Sequence, residues 1–373
     1  MNIPLVDLAA QQAEIADEVR TGLDEVFAAT AFIGGPAVGR FEAAYAAFSQ
    51  VAHCVGVANG TDALELALRA VGVGAGGEVI LPANTFIATA EAVSRVGAVP
   101  VLVDVDPVHL LVDPDAVEAA VGPRTEAIVP VHLFGQVAPM ERLLKIAADA
   151  GVPLVEDAAQ SQGARQNGRA AGSFGLAAGT SFYPGKNLGA AGDGGAVTTD
   201  DADVARTVRV IAAHGSAVKY DHEVIGFNSR LDTVQAVVLE AKLDRLDVWN
   251  TRRRVAAAYY AELLGRVDGV RIPTSAEGNE DVWHLYVVQV DERDRVLGQL
   301  NAAGVGAGIH YPTPIHLTGA YRSMGLGRGE FTVAESAADR ILSLPIYPHI
   351  TRDQQEYVVG VLADAVGGSA PRS

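Results

Sequence analysis

Between Val51 and about Ala212 the chain alternates short β-rich runs with helix-like segments, and this alternation limits the possible folds more than any other feature. The runs are "CVGVA", "EVILP", "VPVLVDV", "EAIVPVH", "PLVED", "TSFY" and "GGAVTT". Between them lie "TDALELALRAVG", "TFIATAEAVSRVG", "DPDAVEAAV", "PMERLLKIAADAG" and "DADVARTVRVIAA", the last four with Asp, Pro or Thr near their starts. Strands interleaved with helices give an α/β domain with a mainly parallel sheet. Their almost unbroken apolar character predicts a sheet covered on both faces.

From Ser229 the pattern becomes one long helical stretch, with Leu231, Val234, Val238, Leu243 and Leu246 roughly on one stripe. It reads as a bridge between domains. Beyond it, "VWHLYVVQV", "GVGAGIHYP" and "ILSLPIYP" are expected strands, "RDRVLGQLNAAG" a helix, and "RDQQEYVVGVLADAV" the closing helix. At 373 residues the chain exceeds one ordinary domain. The expected division is a large domain with an N-terminal arm over 1–245 and a small C-terminal α/β domain over 246–373. The tail "GGSAPRS" reads as disordered.

Composition narrows the function classes. A net charge of 28 − 45 = −17 repels polyanions, which argues against general nucleic-acid binding. No apolar run reaches membrane-span length, and the start lacks a basic segment before an apolar core, so a cytoplasmic protein is expected. The single cysteine, Cys54, excludes an intramolecular disulfide and a cysteine-ligated zinc or iron–sulfur site within one chain, and it reads as a buried structural thiol. No metal site is expected.

Three motifs bear on chemistry. "GTSFYPGKNLGAAGDGGAV" places Lys186 among glycines, aromatics and small apolar residues. A phosphate loop is excluded, since Gly179 is one residue too far from Gly185 and Asn187 cannot supply a magnesium-binding hydroxyl. An exposed turn lysine and a Schiff-base nucleophile remain. "VANGTDALELALRA" leads a strand through Asn59, Gly60 and Thr61 into a helix whose free amides form an anion site, although a simple capped helix is the plainer reading of that motif alone. "PLVEDAAQSQGA" puts Asp157 at the carboxyl end of a buried strand, where open α/β sheets bind ligands and where a structural ion pair is an equal possibility. Gly72, Gly74 and Gly77 match a dinucleotide-binding pattern but precede a strand instead of following one, so they read as turn glycines.

Together, an anion seat, a carboxylate for a pyridinium proton and an imine-forming lysine are the three things pyridoxal 5′-phosphate needs. At this point "FIGGPAVGRFEAAYAAF", "ANGTDAL", "LPANTFIATAEAVSRVGAVPVLVDVDP", "VHLFGQ", "VEDAAQSQGA", "SFYPGKNLGAAGDGGAV", "GFNSRLDTVQA", "HYPTPIHL" and "LSLPIYP", in that order, resemble the DegT/StrS-type sugar aminotransferases over nearly the whole chain. The resemblance implies a fold-type I pyridoxal phosphate transferase, with a helix-sandwiched, mainly parallel sheet in the large domain and a smaller C-terminal domain.

It also implies site roles. Lys186 forms the imine, Asp157 faces the ring nitrogen, Gln160 lies near the ring hydroxyl and Phe86 stacks on the ring. Gly60, Thr61 and Ser181 hold the phosphate, and Asn228 reaches the phosphate of a neighbouring subunit in a homodimer with shared active sites. Tyr183, Lys219, Tyr311 and His316 become substrate-binding candidates, with His310 ranked below them. The implied reaction moves an amino group from glutamate to a nucleotide-linked keto-deoxysugar, closest to the branch acting on dTDP-3-keto-6-deoxyhexoses. Amination at C4, a same-fold sugar dehydratase and a non-catalytic regulatory homologue are the alternatives; a dehydratase carries histidine at the lysine position, against which Lys186 stands. Gln12 in "DLAAQQ" departs from the aromatic often found there.

Overall fold

The computed structural model describes residues 1–367, so the tail from 368 onward lies outside the described residues. All seven expected runs of the first half form strands: β1 (His53–Val57), β2 (Glu78–Pro82), β3 (Val99–Val103), β4 (Thr125–Ile128), β5 (Val155–Asp157), β6 (Ala177–Ser181) and β7 (Gly195–Thr199). Hydrogen bonding orders them β1-β7-β6-β5 and β3-β2-β4. Parallel bridges Ile128↔Leu154 and Val131↔Asp157 join the two groups into one sheet. Only β7 runs against its neighbours, pairing antiparallel with both β1 and β6. The mainly parallel sheet is therefore present with one reversed strand.

Helices cover both faces. The expected helices are α3 (Gly60–Ala70), α4 (Ile87–Arg95), α5 (Pro114–Ala120), α6 (Met140–Ala150) and α7 (Ala202–Ala212), preceded by α1 (Leu8–Ala29) and α2 (Pro36–Phe48). Helix α3 starts where the Asn59 side chain accepts the Asp62 N–H at 2.9 Å. It buries Leu64, Leu66 and Leu68 against the sheet and against α4 and α7; each such leucine contributes about 1.5–3 kcal/mol by burial. On the other face Phe41, Tyr45, Phe182, Leu188, Leu231 and Leu243 form a second apolar layer. The glycines that mimic a dinucleotide motif turn the chain between α3 and β2, with Gly72 at φ +90°.

The bridging helix α8 is Thr233–Leu264; Leu231 precedes it and Asp232 stands at its cap. It is buried on more than a stripe because its first half packs on α1 and α2 and its second half on the C-terminal helix. Residues 245 and 246, the expected domain boundary, fall inside it. The C-terminal part contains the antiparallel sheet β8 (Val270–Arg271), β9 (Tyr286–Val290) and β10 (Ile341–Leu344), with α9 (Arg293–Ala302), α10 (Thr332–Arg340) and α11 (Arg352–Gly367).

"GVGAGIHYP" is not a strand, contrary to expectation. Its backbone serves two different partners: Gly304 and Gly306 exchange hydrogen bonds with Ile3, whereas Gly308 pairs with Ser343. A Cβ on Gly306 would stand 2.8 Å from the Leu5 nitrogen, so the glycine permits this approach. The N-terminal segment is thereby drawn against the C-terminal part, which brings Leu5 and Val6 to the central cavity.

Candidate active site

A cavity of about 580 Å³ opens at the carboxyl ends of β5 and β6. Nine of the expected site residues line it: Gly60, Thr61, Phe86, Asp157, Gln160, Ser181, Tyr183, Lys186 and Tyr311. They come from separate loops that the parallel strands deliver to one edge.

Asp157 ends β5 and is 5% exposed. Its Oδ2 accepts the Thr89 hydroxyl at 2.7 Å, and its Oδ1 accepts the Ala159 N–H at 3.1 Å. Thr89 spends its proton on the carboxylate, so Thr85 must donate to Thr89 across the 2.8 Å contact. Burial raises the Asp157 pKa, opposed by those two donors and by Lys186 and His132. Behind the strand, the Ala138 N–H donates to His132 Nδ1, which fixes the proton on Nε2 and directs it to Glu156 at 2.7 Å. The His132 amide in turn donates to the Asp157 carbonyl.

Lys186 sits on a turn closed by its own amide and the Tyr183 carbonyl at 2.8 Å. It keeps some accessible surface because it lines the cavity, yet surrounding protein lowers its pKa to about 8 by desolvation; the Asp157 charge opposes this. The amine is thus about half unprotonated near pH 8.

Gly60 and Thr61, at the start of α3, also line the cavity, and unpaired amides at a helix start suit an anion. A Cβ on Gly60 would lie 2.5 Å from Ser181 Cβ, so glycine is what allows this helix start and the end of β6 to meet. Asp62, next to the anion seat, turns away and receives Arg95 at 3.1 Å. Gln160 accepts the Phe134 amide at 2.7 Å and donates to the Tyr311 hydroxyl at 3.1 Å, which orients its amide. The Phe86 and Tyr311 rings lie 5.1 Å apart.

Three expected residues stand elsewhere. His316 is 2% exposed, bonded to Glu335 at 3.0 Å and packed edge-on against Phe331, outside the cavity. Its neighbour His310, ranked lower from sequence, lines the cavity instead, with burial and Lys186 lowering its pKa to about 4. Lys219 is exposed, its ammonium 5.0 Å over the Tyr220 ring. Asn228 is also exposed and receives the Arg230 guanidinium at 3.0 Å. Gln12 is exposed and lies outside the cavity lining. Sequence reasoning missed His284 and Asp193, both in the lining, and Thr89. A histidine inside the apolar run "VWHLYVVQV" was the available signal for the first.

The donor set fits pyridoxal phosphate: an anion seat in which any side chain at position 60 would collide, a buried carboxylate, an aromatic face and an amine of lowered pKa share one cavity. Comparison with known proteins agrees. The DegT/DnrJ/EryC1/StrS aminotransferase family matches residues 13–363. The erythromycin biosynthesis sensory transduction protein EryC1 of Saccharopolyspora erythraea is 48% identical over 97% of this chain and 99% of its own. The dTDP-3-amino-3,4,6-trideoxy-alpha-D-glucose transaminase of Streptomyces venezuelae is 44% identical over 97% and 96%. The crystal structure of S. venezuelae DesV in complex with a ketimine intermediate superposes with a TM-score of 0.96 at 43% identity, covering 99% of this chain and 100% of that one. The chain belongs to the DegT/DnrJ/EryC1/StrS aminotransferase family and is a pyridoxal phosphate-dependent sugar aminotransferase.

Proposed function

We propose that this enzyme transfers the amino group of glutamate to C3 of a dTDP-linked 3-keto-6-deoxyhexose. The observation that carries the reading is the convergence of Lys186, Asp157, Gln160 and the Gly60–Ser181 seat on one cavity, in a chain matched end to end by a dTDP-amino-sugar transaminase. The apolar wall of Leu5, Val6, Val131, Leu133 and Leu285 suits a deoxygenated sugar better than a fully hydroxylated one.

When bound, pyridoxal phosphate supplies the electron sink for charge developing at carbon. Gly60, Thr61 and Ser181 would hold its phosphate, Asp157 would keep a proton on the ring nitrogen, Gln160 would orient the ring hydroxyl and Phe86 would cover the ring. Lys186 would hold the cofactor and, once free of it, move a proton, for which an amine whose pKa burial lowers to about 8 is suited. Tyr183 and Tyr311 meet the substrate, and the diphosphate anchors it away from the reacting carbon.

The same reading includes a homodimer. Asn228 and Lys219 lie outside their own cavity, and Phe27, Phe32, Ile33, Val218, Tyr220, Val224 and Ile225 expose large apolar side chains. A second subunit covering that surface would bring Asn228 and Lys219 to a neighbour's site.

The test is a panel of dTDP- and UDP-linked 3-keto and 4-keto sugars with glutamate, product regiochemistry being read by NMR. A 3-amino dTDP-deoxysugar is expected. An amino group at C4 would overturn the assigned position, and the absence of turnover with every sugar would favour a regulatory protein.

A further inference from the structure

The loop between β6 and β7 carries Lys186, and polar side chains of α8 grip that loop at successive points. Asn250 Oδ1 accepts a hydrogen from Asn187 Nδ2 at 2.9 Å. Lys242 Nζ donates to the Gly189 carbonyl at 2.6 Å. Gln235 Oε1 accepts the Ala191 N–H at 2.8 Å. On the helix, Gln235, Lys242 and Asn250 follow one another at intervals of about two turns, so they share one face. On the loop, Asn187, Gly189 and Ala191 are alternate residues, beginning directly after Lys186.

Other contacts leave the loop little freedom. The Ala190 amide donates to the Phe182 carbonyl at 2.7 Å, and the Lys186 amide closes the turn on Tyr183. A Cβ on Gly189 would lie 2.3 Å from the Pro184 carbonyl oxygen, so the loop folds back on itself where Lys242 reaches it. At one end of the grip Asn187 and Asn250 are buried, and they donate further to the carbonyls of Val282 and Gln162, each at 2.9 Å.

Lys242 is the costly member of the set. It is 6% exposed, and the Gly189 carbonyl is its one hydrogen-bond partner among the described residues. Its neighbours on α8, Leu239, Leu243 and Leu246, belong to the apolar layer that also contains Leu188. Burial alone lowers the Lys242 pKa to about 8, so no carboxylate offsets the charge. An ion held by a single carbonyl costs stability, and a methionine would fill the same space without that cost. What the ammonium offers in return is a stronger hold on one carbonyl than a neutral donor gives. A group that breaks the rule for buried charge is accounted for by what it holds, here the loop of the reacting amine.

We propose that Lys242 is a positioning residue for the reaction: by holding the Gly189 carbonyl it fixes the loop so that the Lys186 amine stands where it moves a proton. This rests on the reading of Lys186 as the cofactor-carrying amine, whereas the order of the loop is measurable without cofactor or substrate. Asn250 and Gln235 hold the two ends of the grip with neutral groups, and Lys242 holds its middle. Lys242 does not line the cavity, so it acts only through the loop.

Hydrogen exchange and kinetics test it. In the unaltered, cofactor-free protein the Ala190 and Ala191 amides should exchange as slowly as those of α8; fast exchange there would overturn the proposal without any variant. Lys242→Met fills the space but cannot donate. Its urea midpoint at pH 7 should equal or exceed the parent's, while exchange at Ala190 and Ala191 should speed up at least about tenfold. Turnover, kcat, should fall about ten- to a hundredfold, because the amine is misplaced. KM for the keto sugar and affinity for pyridoxal phosphate should change by less than about threefold, since the residues that line the cavity are untouched. Unchanged exchange or unchanged kcat in Lys242→Met would leave Lys242 a packing residue and overturn the proposal. Borohydride labelling separates this from the reading beneath it: with the label on Lys186 in both proteins, an unchanged kcat overturns the positioning role alone, and a label elsewhere in the parent overturns the role of Lys186 itself.

Discussion

At the scale of single residues, the proposed chemistry depends on two ionisable groups taken out of water and set against each other. Asp157 is shielded enough for burial to raise its pKa, but two donors and a nearby lysine oppose the rise. Asp157→Asn preserves size and removes the charge, so turnover should fall by orders of magnitude while folding is retained; steady-state kinetics beside circular dichroism read this, and near-normal turnover would remove Asp157 from the reaction. Lys186 has the opposite sign. Its pKa is about 8 in the folded protein against an ordinary lysine value of 10.5. Between those values the unfolded chain binds more protons than the folded one, so the stability of cofactor-free protein should rise as pH climbs from about 8 to about 10.5. Lys242, lowered to about 8 by burial alone and bonded to the Gly189 carbonyl, adds a slope of the same sign. Lys186→Met should be more stable than the parent at pH 7 and should show a shallower rise; urea midpoints from pH 7 to 10 measure both, and identical profiles would contradict the buried-charge account.

At the scale of elements, the helix start at Gly60 and the strand end at Ser181 touch at the cavity, where they would form the proposed anion seat. Gly60→Ala puts a methyl 2.5 Å from Ser181 Cβ and 3.1 Å from its Cα, which must part the two elements. Affinity for pyridoxal phosphate should fall at least about tenfold, and far more than affinity for pyridoxal, which has no phosphate to seat; equal losses in spectrophotometric titrations would place the phosphate elsewhere. The strand-to-helix turn at Asn59, Gly60 and Thr61 was legible in the sequence because strand, Asn-Gly-Thr and amphipathic helix are contiguous. The seven strands were legible for the same reason, as apolar runs bounded by turn signals. The direction of β7 was not, since its pairing with β1 joins residues far apart in the chain, from His53↔Thr199 to Val57↔Gly195. Nor was the exchange of His316 for His310: the two lie within one short motif, and only packing against Glu335 and Phe331 takes the first out of the cavity. "GVGAGIHYP" failed as a strand because its partners, Ile3 and Ser343, come from opposite ends of the chain.

At the scale of the whole molecule, the site is built from both ends of the chain: Leu5 and Val6 enter from the N-terminal segment, and His310 and Tyr311 from the C-terminal part. Asn228 and Lys219 lie outside it, on a surface rich in exposed apolar side chains. Mixing Lys186→Ala with Asn228→Ala chains under subunit exchange tests a shared site. One site of each mixed dimer then draws both residues from parent-like chains, so part of the activity should return; verified heterodimers without recovery would assign Asn228 to its own subunit. The central claim is narrower, that Lys186 is the amine that carries pyridoxal phosphate against Asp157. Borohydride reduction of the cofactor-loaded protein followed by peptide mass mapping tests it most directly. The account predicts one reduced pyridoxyl label, on Lys186 and absent from Lys186→Ala, and a label on Lys145, Lys219 or Lys242 in its place would contradict it.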